Sequence, residues 1–187
     1  MFGYSQKRFE VFILPRKPAH RVNAKIQVGT KLLRLGEVTG EQWQQLRQLQ
    51  GRFATFYLRF RYGAPDTRIL LAFADAELAH VGWIVPAYKL QARYPFVSDG
   101  SYSIISCLTT GRLRGLRIYP SQIQKVVQSD VSAKRFWIWT ESTNTPSLKG
   151  IGKAGGIKVG EFIQTKWFWG CTSHVRYFPE GTNIKWH

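Results

Sequence analysis

Residues 105–120 read Ile-Ser-Cys-Leu-Thr-Thr-Gly-Arg-Leu-Arg-Gly-Leu-Arg-Ile-Tyr-Pro. The apolar run from Tyr102 to Leu108 predicts a strand. It breaks into a turn made of Thr109, Thr110, Gly111, Arg112 and Arg114, and after Gly115 a helical pattern opens near Tyr119 and Pro120. A strand that passes through basic, glycine-containing backbone into a helix N-terminus leaves N–H groups unpaired. It also sets the positive end of the helix dipole beside them. Such a cradle suits a phosphate or pyrophosphate.

The pattern extends outward from this turn in both directions. Upstream, residues 8–14 predict a strand stopped by Pro15 and Pro18, and residues 24–35 predict one or two short strands around Gly29. Thr39-Gly-Glu-Gln42 has the form of a capping box and opens a helix through about Gln50. A second helix is expected over Arg52 to Tyr62, then a hairpin of Arg68–Ala74 and Glu77–Val85 turning at Asp75-Ala76. Residues 86–100 read as a loop. Downstream, the helix after the cradle runs to about Ser132 with Ile123, Val126, Val127 and Val131 on one face. A strand over Arg135–Trp139, a short helix beginning at Asn144-Thr-Pro146 and ending at Gly155-Gly156, and strands over Lys158–Trp169 and Thr172–Phe178 follow. The order predicts an α+β fold, with a central, mostly antiparallel sheet.

At 187 residues the chain is expected to form one domain, residues 1–187, with a sizeable core. No apolar stretch reaches the roughly 18 residues that a spanning helix needs. Met1 to Arg8 lack the apolar segment of a signal peptide. Cys107 and Cys171 have no metal-ligand spacing, and Cys107 falls inside a strand pattern, so no metal is expected and a reduced, cytoplasmic setting is. The net charge of +16 is spread along the chain, without a basic tail. It fits polyanions, an acidic protein or an anionic membrane face, and equally a soluble enzyme from a lineage of basic proteins.

The motifs resemble the GCN5-related N-acetyltransferase (GNAT) superfamily. Its pyrophosphate signature is Arg or Gln, two residues, Gly, one residue, then Gly or Ala. Arg112-Leu-Arg-Gly115 matches the first two fixed places, while Arg117 departs from the third. Asn144-Thr-Pro-Ser147 and Gly152-Lys-Ala-Gly-Gly156 resemble the family's second cofactor segment, and Glu77-Leu-Ala-His80-Val-Gly-Trp83 resembles the strand before the signature strand. The resemblance implies a three-layer α/β/α arrangement and transfer of an acyl group from acetyl-CoA, or another acyl-CoA, to an amine. It implies cofactor contacts at Leu108, Thr109, Thr110, Arg112, Leu113, Arg114, Gly115, Leu116, Arg117, Ile118, Asn144, Ser147 and Lys153.

Transfer to an amine needs a positioned thioester, a group to take a proton and an acid for the departing thiolate. His80, Glu77, Asp99 and Glu141 are candidate bases. His80 has a suitable ordinary pKa but also fits a satisfied core histidine. The family often places a Tyr acid in the helix after the Asn, and Ile151 stands there. Either the thiolate leaves unaided, or another group acts, or the scaffold serves binding or an unusual reaction; Tyr119, beside the cradle, is one candidate, and it also fits a packing or capping role. Asn144 fits either a hydrogen bond to the pantetheine arm or a helix N-cap. Tyr57, Arg59, Arg61 and Tyr62 on the second helix are expected to face an amine acceptor, with an acidic or phosphorylated one suiting the arginines. Trp137 and Trp139, and likewise Trp167 and Trp169, sit two apart and share a sheet face. A small molecule or an amino sugar is the acceptor expected first. Other readings are an acyl carrier protein as donor or partner, a non-catalytic acyl-CoA sensor, and a nucleic-acid-binding module, against which stands the lack of any recognition motif.

Overall fold

The structure is a computed structural model that describes residues 4–129, 133–167 and 173–180. The strands among the described residues are β1 Tyr4–Leu14, β2 Gly29–Arg34, β3 Arg68–Ala74, β4 Glu77–Pro86, β5 Tyr102–Thr109, β6 Phe136–Glu141, β7 Ile157–Trp167 and β8 Ser173–Pro179. These eight form one sheet in the order β2-β3-β4-β5-β6-β1-β7-β8. Every neighbouring pair is antiparallel except β5 and β6, which run parallel. The first strand does not pair with the second. It lies between β6 and β7, a placement set by long-range pairing that no local pattern announces.

Among the described residues four α-helices cover the sheet: α1 Gly40–Gln50, α2 Arg52–Tyr62, α3 Ile118–Ser129 and α4 Thr145–Lys153. Alternation along the strands divides their side chains between two cores. Ile69, Leu71, Val81 and Trp83 face one side, where Leu46 of α1 and Leu58 and Tyr62 of α2 close over them. Leu70, Ile84 and Ile104 face the other, against Ile123, Val126 and Val127 of α3 and Ile151 of α4. The result is a three-layer α/β/α fold.

Local chemistry explains the helix ends. Thr39 Oγ1 accepts from Gln42 N at 3.3 Å and Gln42 Oε1 accepts from Thr39 N at 3.0 Å, so the capping box is present. Asn144 caps α4, accepting from Ser147 N at 3.3 Å, with a proline in the first turn. The expected end of α3 at Ser132, with Val131, lies outside the described residues, as do Trp169, Cys171 and Thr172.

The loop at residues 87–100 is less plain than its sequence. Leu90, Tyr94, Phe96 and Val97 pack into the first core, the same cluster that holds Leu46 of α1 and Leu58 and Tyr62 of α2. There Phe162, fully buried, stacks on Phe9 with ring centroids 4.6 Å apart and meets Tyr94 and Phe96 at 5.6 Å each. Trp137 and Trp139 border the same cluster, so this pair is sheet cover. Phe162→Ala should cost about 3–5 kcal/mol in urea unfolding, as buried aromatic truncations do. Phe60→Ala, on the outer face of α2, should stay within about 0.5 kcal/mol of the parent.

Candidate functional site

The site begins where β5 stops behaving as an ordinary strand. Against β4 it pairs regularly from Pro86↔Tyr102 to Trp83↔Ile105, and again from Val81↔Leu108. Between these, Ser106 and Cys107 stand opposite Gly82 alone, which is a β-bulge. Ser106 sits at φ 53, a left-handed conformation that costs a non-glycine residue about 1–2 kcal/mol. Gln50, the last residue of α1, braces it. Its Nε2 donates to Ser106 O at 3.2 Å while its Oε1 accepts from Trp83 Nε1 at 3.2 Å.

On its other side β5 pairs with β6 over three residues only, Tyr102↔Phe136, Ser103↔Trp137 and Ile104↔Ile138. Beyond Ile104 the two strands part. Backbone groups of residues 105–109 on that edge therefore have no strand partner from β6, and the bulge falls within this same stretch.

After Thr109 the chain makes the basic turn. Thr110 is tied back to β4, its N–H donating to Ala79 O at 2.9 Å and its hydroxyl to Leu78 O at 3.1 Å. Gly115 adopts φ 83, which glycine takes without strain, and Arg117 adopts φ 59, which it does not. Helix α3 then starts at Ile118, with Pro120 in its first turn, where no N–H is needed.

Residues 15–28 strap this turn to the helices. Lys25 N donates to Leu116 O at 2.9 Å, Val22 N donates to Gln124 Oε1 at 2.8 Å, and Gln124 Nε2 donates to His20 O and Ala154 O. Helix α4 closes against α3 through a glycine. A Cβ on Gly150 would lie 2.4 Å from the Tyr119 ring, so only glycine lets the two helices approach this closely.

These parts enclose one cleft of about 520 Å³. Leu108, Thr109, Leu113, Arg114, Gly115, Arg117, Ile118, Tyr119, Asn144, Ser147 and Lys153, all expected from the sequence, line it together. Cys107, Pro146, Lys149 and Gly150 line it too, and sequence reasoning did not single them out as site residues. Four cations, Arg114, Arg117, Lys149 and Lys153, stand on the walls with no Asp, Glu or His among the described lining residues.

Several expected residues stand elsewhere. Thr110 serves β4, as above. Leu116 is half-buried against the small cluster of Ala74, Ala79 and Ile118. Arg112 forms an ion pair with Glu77 outside the cleft, and both are exposed. Asp99 accepts from Gln91 Nε2 at 2.6 Å, and Glu141 pairs with Lys7 at 2.5 Å. Ile151, at the family's acid position, is a fully buried core residue. On α2, the Arg59 guanidinium lies over the Trp43 ring and that of Arg61 over Tyr62, which is itself buried in the core.

His80 is fully buried beneath the end of β5. Its Nδ1 lies 2.8 Å from Thr109 Oγ1, and Nε2 has no hydrogen-bond partner. Its ring is 5.8 Å from that of Tyr119. Burial without a charged partner lowers its pKa to about 4. Burial also pushes the Cys107 thiol up to about 12 and the Tyr119 phenol well above its ordinary range, with Cys107 adding to the latter. The three neighbours are thus an imidazole, a thiol and a phenol, all neutral at pH 7.

Among solved structures the same fold recurs. A functionally unknown conserved protein from Staphylococcus epidermidis superposes with a TM-score of 0.61 at 12% identity, over 86% of this chain and 61% of that one. A GCN5-related N-acetyltransferase from Sphaerobacter thermophilus gives 0.60 at 12% identity, over 88% and 53%. A GNAT-family acetyltransferase from Colwellia psychrerythraea gives 0.57 at 12% identity, over 88% and 56%. The chain therefore has the GNAT fold, and it spans between 53% and 61% of the length of these proteins. No protein-family model and no curated protein sequence matches it.

The buried imidazole makes a signed prediction. Below about pH 6.5 the unfolded chain binds a proton at His80 that the folded protein refuses until about pH 4. The unfolded state binds more protons across that window, so stability falls as pH drops through it. Urea unfolding of the parent and His80→Asn at about pH 7 and pH 4.5 should show the parent losing about 2 kcal/mol more than the variant. Equal losses would contradict a neutral buried imidazole.

Proposed function

We propose that this chain transfers an acyl group from a coenzyme A thioester, most simply acetyl-CoA, directly to an amine within a ternary complex. The observation that carries this is the parting of β5 from β6 at a strained bulge, opening beside a cleft walled by four cations and the start of α3. The donor set fits the molecule. Backbone N–H groups of residues 113–118, with Arg114 and Arg117, would hold the pyrophosphate. Asn144 and Ser147 would face the pantetheine arm, and Lys149 and Lys153 would add positive charge around the phosphates. When bound, coenzyme A supplies an activated thioester carbonyl and a thiol leaving group.

The unpaired edge of residues 105–108 would orient that carbonyl through backbone N–H groups. Tyr119, kept protonated by burial, is the phenol of the cleft lining and would donate toward the departing sulfur. Because Cys107 stays a thiol, it is a poor nucleophile, which supports direct transfer over an acyl-cysteine route. His80 holds the Thr109 hydroxyl and acts as a positioning residue. The acceptor amine would approach from the α1–α2 side, where Gln50 meets the bulge. A small molecule or an amino sugar, acidic or phosphorylated, is the acceptor class, and the cytoplasm, where acyl-CoA is available, is the setting. A second reading, acyl-CoA binding without turnover, is favoured by the core residue Ile151 at the acid position.

Thiol release from acetyl-CoA, measured over a panel of small amines and amino sugars, tests the proposal. At least one amine should give steady turnover. Tyr119→Phe should lower kcat about 10²-fold with KM for acetyl-CoA little changed. Arg114→Ala with Arg117→Ala should raise that KM by about tenfold or more, as loss of charge-assisted contacts does. Saturable binding of acetyl-CoA without thiol release on any amine would leave the sensor reading.

A further inference from the structure

Helix α2 carries more large hydrophobic side chains on its exposed face than it buries in the core. Six large hydrophobic side chains are exposed among the described residues, and four of them, Phe53, Phe56, Tyr57 and Phe60, belong to this one helix. The three phenylalanines are 83%, 67% and 81% exposed. At helical spacing the four aromatics fall within an arc of roughly 100°. Thr55, Leu58 and Tyr62, the buried residues of α2, occupy the opposite arc. Arg52 and Arg59 border the aromatic arc on one side and Arg61 on the other, and α2 contains no acidic residue. Phe56 and Phe60 stack on each other, with ring centroids 6.3 Å apart, as a ridge rather than a groove.

We infer that this face of α2 docks the protein on an anionic membrane surface. A convex row of aromatics edged by arginines matches the water–lipid boundary. There the rings enter the acyl boundary and the guanidinium groups stay at the phosphates. The overall charge of +16 draws the whole molecule toward the same anionic surface. Attachment is peripheral, since no helix among the described residues is long and apolar enough to cross a membrane. Helix α2 starts two residues after Gln50, which braces the bulge, so the docked face lies alongside the acceptor approach. The amine acceptor would then be presented at the lipid surface. That consequence rests on the acyl-transfer proposal, whereas docking does not.

Co-sedimentation of the full chain with vesicles, at about physiological ionic strength and without acyl-CoA, tests the docking. One set of vesicles holds equal parts phosphatidylcholine and phosphatidylglycerol, and the other phosphatidylcholine alone. The parent should partition onto the anionic vesicles about tenfold or more above the neutral ones. The triple variant Phe53→Ser, Phe56→Ser, Phe60→Ser, checked for folding by circular dichroism, should lose about tenfold or more of that partitioning. Arg52→Gln with Arg61→Gln should weaken it on anionic vesicles only. Three results would overturn the inference: a parent that stays in the supernatant, a triple variant that binds as the parent does, and a parent dimer in light scattering that the triple variant converts to monomer. The last would assign the face to a second copy of the chain.

Discussion

The structure turns on one constraint: β5 cannot stay paired with both neighbours along its length. It gives β6 three residues and then leaves it, and within the stretch that leaves it takes up an extra residue against β4 at the cost of a left-handed serine. Everything around the cleft answers to that departure. Gln50 and Trp83 brace the bulge from the α1 side. His80 and Tyr119 fill the space beneath it from the α3 side, and Gly150 lets α4 come close enough to wall the opening. A regular β5 would pair on both edges, and no backbone would be left to present to a ligand.

Charge is arranged to the same end. The chain has 27 basic and 11 acidic side chains, and the structure uses its carboxylates away from the cleft. Glu161 meets Arg8 at 2.5 Å and Lys158 at 2.7 Å, Glu141 meets Lys7, and Glu77 meets Arg112 on the outer side of the turn. The cleft therefore keeps four cations with no described carboxylate among its lining, beside the positive end of α3. Desolvation does the rest inside, holding the imidazole, thiol and phenol neutral, so the cleft's positive character comes from its rim rather than its floor.

What was legible in the sequence was local. The capping box at Thr39, the hairpin at Asp75-Ala76, the turn from β5 into α3 and the Asn144 cap each follow from a few adjacent residues; the α+β class and its mostly antiparallel sheet follow from their order, and the three-layer α/β/α arrangement came through the family resemblance. The family resemblance named Arg114, Arg117, Asn144 and Lys153 as cofactor contacts from motifs that lie far apart in the chain, and the structure sets all four along one cleft. What escaped depends on distant partners. Nothing near Tyr4–Leu14 says that this strand inserts between β6 and β7. Ser106 reads as an ordinary strand residue, and its bulge is braced by Gln50, 56 residues away, which donates to its carbonyl. His80 and Glu77 look alike as titratable candidates on one strand. Burial separates them, leaving His80 with no exposed surface and Glu77 in solvent beside Arg112.

The central claim is that the cleft beside the parted strands is built for an acyl-CoA rather than for any polyanion. Calorimetric titration of the purified protein with acetyl-CoA at low and moderate salt, with ATP as the comparison, measures this directly. Saturable one-to-one binding that survives moderate salt and exceeds that of ATP is the predicted result, because the pantetheine contacts add to the screened phosphate contacts. Binding that disappears with salt, or that ATP equals, would contradict it.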